Sequence, residues 1–358
     1  MKLLIQPEDG VAPLLSAIKK AKKSIEIVIF RFDRAEIEAG LKAAVGRGVS
    51  VSALIAYANH GGEKSLRKLE MRLLEAGVMV SRTADDFVRY HDKLMIVDHR
   101  TLYVMSFNFT HLDIDHSRGF AIVTRKAKLV QEGIKLFAAD SARTPYEAGQ
   151  DTFVVSPVNA RKQLSALIRR AKKELLIYDP KIADAEMLRA LSERTKKGVD
   201  VKVIGAVGRK SHLLNVRALA GRRLHTRTII RDRREAFVGS QSLRHAELDS
   251  RRELGVIIRE SKAVSGLVKT FELDWASKES TEIPQVTTQE LKKTLKAVVE
   301  ELSPLSPLVK EAVKEVVSKA GSASLDTEEV KETVQRAVKE AVRERVAEML
   351  NESEEQLL

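Results

Sequence analysis

The sequence predicts an α/β protein. It is built from two copies of one unit, each a mixed sheet flanked by helices, related by a pseudo-twofold axis and followed by an all-α tail. Three observations carry this. Ile18–Ile27 (I-K-K-A-K-K-S-I-E-I) recurs as Ile168–Ile177 (I-R-R-A-K-K-E-L-L-I) at an offset of 150 residues, an offset shared by Pro7 with Pro157 and by Gly48 with Gly198. From His91 onward the offset is 134, pairing His91 with His225, Asp98 with Asp232, Ser106 with Ser240, Phe137 with Phe271 and Asp140 with Asp274. Within each copy, apolar residues alternate between a spacing of two and a spacing of three to four, the mark of strands interleaved with helices. The expected divisions are 1–143 for the first repeat, 152–279 for the second and 281–358 for the tail, with the turn-rich T-P-Y-E-A-G-Q-D at 144–151 between the repeats.

In the first repeat, 12–23 reads as an amphipathic helix with a basic outer face. A strand follows at 24–30 (S-I-E-I-V-I-F), then a helix at 35–46, with Gly48 at the turn into a strand at 49–57. A helix at 62–76 and a short strand at 78–82 come next. His91–Val97 (H-D-K-L-M-I-V) reads as a strand with a hairpin partner at 101–106, and a strand at 119–124 and a helix at 128–139 complete the unit. In a strand, alternate residues face one side, so His91 and Lys93 are expected to enter one pocket together. The tail reads as helices at 287–302, 307–320 and 326–350, separated by Pro304, Pro307 and Gly321, with Asp326 and Glu329 resembling a capping box. Val330, Val334, Val338, Val342, Val346 and Leu350 form a stripe suited to docking on this chain or to self-association, and the acid-rich opposite face argues against a membrane-surface helix.

Composition narrows the function. There is no cysteine, so disulfides, thiolate metal sites and cysteine nucleophiles are excluded. Aromatics are 4% of the chain, too few for a base-stacking platform. The formal net charge is +12, but residues 281–358 hold 11 Lys+Arg against 16 Asp+Glu, a net of −5, which leaves +17 on residues 1–280. A basic body favours anionic partners: nucleic acid, anionic phospholipid headgroups or phosphorylated metabolites. The N-terminus has no signal-peptide core, and no apolar run of about 18 residues occurs, so a soluble cytoplasmic protein is expected, docking at most peripherally on a membrane.

The chemistry is concentrated in two stretches. Tyr90–Asp98 holds His91, Lys93 and Asp98 in the spacing H-x-K-x4-D, followed by Ser106 and Asn108 in M-S-F-N. Leu224–Asp232 holds His225, Arg227 and Asp232 in the same spacing, followed by Ser240 and Ser242 in G-S-Q-S. Two in-register copies inside an independent duplication resemble the phospholipase D superfamily, whose signature is a duplicated H-x-K-x4-D followed by G-S-x-N. The resemblance covers about 1–278 and implies two phospholipase D-like α/β/α lobes sharing one phosphate site. It further implies that one histidine attacks phosphorus to form a phosphohistidine, and that the other protonates the leaving alkoxide and then activates water or an acceptor alcohol. Lys93 and Arg227 would supply the positive charge, with Ser106, Asn108, Ser240 and Ser242 as phosphate donors. No metal and no cofactor are expected. His91 is assigned as nucleophile because its half keeps the lysine and asparagine, and His225 as acid/base, with the reverse assignment left open. Asp98 and Asp232 belong to the motifs but are expected to hold the site together rather than to do chemistry.

Departures from the family pattern are Arg227 for lysine, Ser242 for asparagine and Met105 for the first glycine. The family's histidine-orienting glutamate is kept as Glu253, but its counterpart is Gly119; Asp113 and Asp115, matching Glu247 and Asp249, stand nearby as substitutes. His99, His111 and His116 have no common zinc spacing. His60 with Gly61 and Gly62 reads as a loop, and His212 and His245 as surface residues. Arg231, Arg233 and Arg234 read equally as a substrate approach or a solvated hairpin, and Trp275 as packing. Three functions fit: phospholipid hydrolysis or phosphatidyl transfer of the cardiolipin-synthase kind, ahead of a metal-independent nuclease and of a degenerate phosphate-binding module.

Overall fold

The computed structural model describes residues 1–57, 63–208 and 214–277. The chain divides into a unit Met1–Glu279 and a unit Ser280–Leu358. The expected tail helices, and His60, Gly61, Gly62 and His212, lie outside the described residues.

The first lobe runs β1 (Lys2–Gln6), α1 (Ala12–Lys20), β2 (Ser24–Ile29), α2 (Ala35–Gly46), β3 (Ser50–Ile55), α3 (Glu63–Glu75), β4 (Met79–Arg82), β5 (Arg89–Tyr90), β6 (Leu94–Val97), β7 (Thr101–Met105), α4 (His111–Asp115), β8 (Ser117–Thr124) and α5 (Ala127–Ala142). The second runs β9 (Phe153–Ser156), α6 (Ala160–Arg169), β10 (Glu174–Ile182), α7 (Ala185–Lys196), β11 (Asp200–Val207), β12 (Asn215–Arg217), β13 (Arg223–Leu224), β14 (Arg227–Arg231), β15 (Glu235–Gly239), α8 (His245–Asp249), β16 (Arg251–Ile258) and α9 (Ser261–Ala276). The sheets are mixed, as expected. The first has the order β1-β8-β7-β6-β2-β3-β4 and the second β12-β11-β10-β14-β15-β16. The pairs β2–β3, β3–β4, β10–β11 and β11–β12 are parallel, while the central hairpins β6–β7 and β14–β15 are antiparallel.

Both faces of each sheet are covered, which explains why the strands read as near-continuous apolar runs. In β2, Ile25, Ile27 and Ile29 pack beneath α1 and α2, while Val28 on the opposite face joins a core shared with the second lobe. That shared core also takes Leu94 and Ile96 of β6, Ile230 of β14, Val238 of β15 and residues of α5 and α9, including Leu136 and Phe271. A third cluster fills the space under α6 and α7. Full burial of each such Leu, Ile or Phe contributes roughly 1.5–3 kcal/mol, so the central layer fuses the lobes into one body. The repeat is visible in the backbone: Gly48 and Gly198 leave their helices at φ +82° and +83°, a conformation that disfavours any side chain.

One expectation is corrected. His91–Val97 is not a single strand. Arg89–Tyr90 pairs in parallel with Arg251–Arg252 of the other lobe, residues 91–93 are irregular, and β6 begins only at Leu94. The second lobe repeats this, with Arg223–Leu224 pairing with Ser117–Arg118. Each lobe therefore reaches across to the other sheet just before its histidine, and the alternation of a single strand does not set the direction of the H-x-K side chains.

Candidate active site

The crossing segments bring the two motifs face to face. The backbone N–H of His91 donates to the carbonyl of Arg252 (2.8 Å), and that of His225 to the carbonyl of Arg118 (3.1 Å). Those two arginines occupy equivalent repeat positions, and each is held by an acid near the end of the other lobe's last helix: Arg118 by Asp274 of α9 (2.8 Å) and Arg252 by Asp140 of α5 (3.1 Å). Each histidine is thus fixed by the lobe it does not belong to.

Behind each histidine its motif cation folds back on the same loop. Lys93 Nζ donates to the carbonyl of His91, and Arg227 Nη1 to the carbonyl of His225 at 2.8 Å. Arg227 Nε also donates to Ser242 Oγ at 3.2 Å. Lys93 is 1% exposed, with its ammonium 5.5 Å from the centre of the Phe30 ring, which also meets the His91 ring edge-on at 4.8 Å. Burial pushes Lys93 down to about 7, with Glu253 opposing that shift.

The environments of the two imidazoles differ. Glu253, fully buried, takes both carboxylate oxygens to His91 Nδ1, at 2.9 and 3.1 Å. With Glu253 ionised, Nδ1–H donates to it and the Nε2 lone pair is left for chemistry. Burial, reinforced by Glu247, raises Glu253 to about 8, and burial, reinforced by Lys93 and Arg227, holds His91 well below the ordinary histidine range. Position 119, the repeat equivalent of 253, is glycine, and a Cβ there would lie 2.9 Å from Phe107 Cδ1. The nearest acid to His225 is instead Asp113 of α4, whose Oδ2 lies 3.6 Å from Nδ1, too far for a hydrogen bond. His225 Nδ1 is buried without a partner. Burial would raise Asp113, but the His225 ring, Arg223 and the Asn108 donors outweigh it and hold the carboxyl at about 2. Burial lowers His225, with Asp113 opposing that shift.

The remaining motif residues take several places. Ser106 Oγ accepts from Phe120 N (2.9 Å) and Ser240 Oγ from Leu254 N (3.1 Å), so both hydroxyls tie hairpin strands together beneath the site. Asn108 spends its side-chain amide on Asp113 (2.7 Å). Asp98 and Asp232 sit at the far ends of β6 and β14, in left-handed turn positions at φ +55° and +51°. Asp98 accepts the backbone N–H groups of Lys22, Lys23 and Ser24, and Asp232 those of Lys172, Lys173 and Glu174. Their carboxylates clamp the helix-to-strand turns that follow I-K-K-A and I-R-R-A, the structural role expected of them rather than a chemical one.

Asp115 bonds Arg34 and His111 instead of either motif histidine. Arg231 turns to Glu235, and Arg233 to Glu174 and Glu272, so these two belong to the hairpin. His99 pairs with Glu26 (2.6 Å), and Trp275 stacks on Phe271. Among the described residues a grouping with metal-ligand geometry occurs at Asp184, His245 and Asp249, where the guanidinium of Arg161 already donates to both aspartates. No helix among the described residues is long and apolar enough to cross a membrane.

The fold is that of known structures. The polyphosphate kinase of Porphyromonas gingivalis matches with a TM-score of 0.63 at 18% identity, over 77% of this chain and 50% of that one, so the chain spans about half its length. The phosphatidylserine synthase of Haemophilus influenzae Rd KW20 matches with a TM-score of 0.58 at 11% identity, over 84% of this chain and 94% of that one. The phospholipase D family member NUC of Salmonella typhimurium is 26% identical over 41% of this chain and 97% of its own, with a TM-score of 0.36. No curated protein sequence matches. The family described as "Cardiolipin synthase, PLD-like domain" matches residues 14–141 and 164–275, more than half of the chain and both lobes. The chain belongs to that phospholipase D-like family.

Proposed function

We propose that this chain cleaves or transfers the phosphodiester of a phospholipid through a phosphohistidine on His91. The observation that carries the reading is the contact of both Glu253 oxygens with His91 Nδ1 at 2.9 and 3.1 Å, made from the opposite lobe and beside two motif cations. Ionised Glu253 fixes the tautomer in which Nε2 is nucleophilic, and burial keeps the ring neutral. Lys93 and Arg227 draw the phosphate anion in and stabilise charge on its oxygens in the transition state. Nε2 forms the P–N bond as the P–O bond to the leaving alkoxide breaks, and His225 gives that oxygen its proton. Water or an acceptor alcohol then loses its proton to His225 and attacks phosphorus, and the P–N bond breaks to regenerate His91. Phospholipid is favoured as substrate by the family's description.

A nuclease is the second reading. Arg89 and Arg251, register partners across the two lobes, both act on His91, and Arg223 acts on His225, so guanidiniums of both lobes surround a site already holding Lys93 and Arg227. Labelled phosphatidylglycerol and plasmid DNA, assayed side by side, separate the two. Phosphatidyl transfer or phosphatidic acid release supports the first, and nicking that weakens steeply with salt supports the second. Turnover of neither, with no acid-labile phosphoenzyme, favours a binding module.

A further inference from the structure

Two buried carboxylates flank the site from equivalent reaches of the two lobes, but from non-equivalent positions. Glu253 serves His91. Its repeat mate is Gly119, where Phe107 occupies the space a side chain would need. Asp113 is the repeat mate of Glu247, and Glu247 accepts from Ser242 N (2.6 Å), Arg244 (2.6 Å) and Arg251 (3.3 Å). Asp113 instead lies 3.6 Å from His225 Nδ1, a buried nitrogen with no partner. Its other contacts are Arg223 at 2.7 Å and Asn108, through the backbone N–H at 2.8 Å and the side-chain amide at 2.7 Å.

We propose that Asp113 is the positioning carboxylate of His225, and that its half-closed contact makes His225 the proton-carrying member of the pair. The proposal rests on the phosphohistidine reading and adds a residue to it. His91 is locked by two oxygens, which suits a nucleophile whose ring must not turn over. His225 must hold a proton at Nε2 for the leaving group and then lose it, so its ring passes through the imidazolium. Asp113 is the ionised acid against that ring; the other charges acting on it, Arg223, Arg227 and Lys93, all oppose a positive charge there. A phosphate anion bound between the cations offsets them, the imidazolium forms, and Nδ1–H closes the remaining gap to Asp113.

The test separates the two chemical steps. Bis(p-nitrophenyl) phosphate has a leaving group that needs no protonation, so its first p-nitrophenolate reports attack by His91 and its steady state reports hydrolysis of the phosphoenzyme. Asp113→Asn should keep the first-turnover burst within about threefold and slow the steady state about 10²-fold, so that phosphoenzyme accumulates. Asp113→Glu should restore part of the steady-state rate, and Glu253→Gln should do the reverse of Asp113→Asn by losing the burst. If Asp113→Asn loses burst and steady state equally, or changes neither, the role of Asp113 is refuted while the phosphohistidine reading stands. A wild-type enzyme that shows no burst and no phosphoenzyme refutes both. Independently of turnover, ¹⁵N-histidine NMR with inorganic phosphate should show His225 as imidazolium in the wild type and neutral in Asp113→Asn, with His91 unchanged; identical His225 signals in both proteins overturn the proposal.

Discussion

Glu253→Gln separates catalysis from stability at one buried position. The glutamine matches the glutamate in size, so the packing around a fully buried side chain is kept. What is lost is the charge behind two contacts to His91 Nδ1, at 2.9 and 3.1 Å. A hydrogen bond to a charged partner contributes about 1.5–3 kcal/mol, and each 1.4 kcal/mol is a factor of ten, so kcat/KM should fall about 10²-fold through the misplaced tautomer. Stability should move the other way. Burial raises Glu253 from its ordinary 4.5 to about 8. A carboxyl whose folded value lies above its unfolded one contributes fully below the unfolded value, and that contribution is lost as pH rises through about 8. The wild type therefore loses stability between those limits, and the glutamine variant does not. Thermal melts at pH 5 and pH 8.5 should show a smaller pH difference for the variant, with Tm at pH 8.5 equal to or above wild type. Wild-type activity in the variant, or a Tm loss of equal size at both pH values that accounts for the lost activity, would refute this reasoning.

Further predictions follow from the same geometry. The activity–pH profile of kcat/KM should be bell-shaped with its maximum between about 7 and about 8, rising as Glu253 ionises and falling as Lys93 loses its proton, and Glu253→Gln should abolish the rising limb. His91→Ala and His225→Ala should each cut turnover at least ~10³-fold, whereas Arg227→Lys should preserve or raise it, both read in steady-state assays. Asp98→Ala and Asp232→Ala each strip the acceptor from three backbone N–H groups and should cost about 1–3 kcal/mol in denaturant melts, leaving activity per folded molecule near wild type. Dialysis against EDTA should leave activity unchanged.

Much of the fold was legible in the sequence because duplication is a pattern of identities as well as of hydropathy. The offsets of 150 and 134 located both lobes, and Gly48 with Gly198 marked the same left-handed turn twice. The α2 span was read to the residue, since its apolar face and the following Gly48 are both local features. What failed was non-local. The break at residues 91–93 arises from β5 pairing with β16 of the other lobe, and no local propensity encodes a partner more than 160 residues away. Short α4 was missed for a different, local reason. Its apolar face is brief, and it is held by packing on β8 and by the Thr110 cap that accepts from Asp113 N. In the site, motif spacing identified the histidines and cations, but it could not tell Asp113 from Asp115. Three-dimensional placement distinguishes them: Asp115 meets Arg34 at the surface and Asp113 turns inward to His225. Nor could spacing show that the serine hydroxyls at 106 and 240 are used by neighbouring strands.

The central claim is a covalent phosphoenzyme on His91. Rapid acid-free quenching of the enzyme during turnover of a ³²P-labelled diester, followed by alkaline proteolysis and peptide mapping, reads it directly. A base-stable, acid-labile label is expected on the peptide carrying His91, absent in His91→Ala and accumulating in His225→Ala with an activated substrate. A label on the His225 peptide, or turnover with no trapped label, would contradict it.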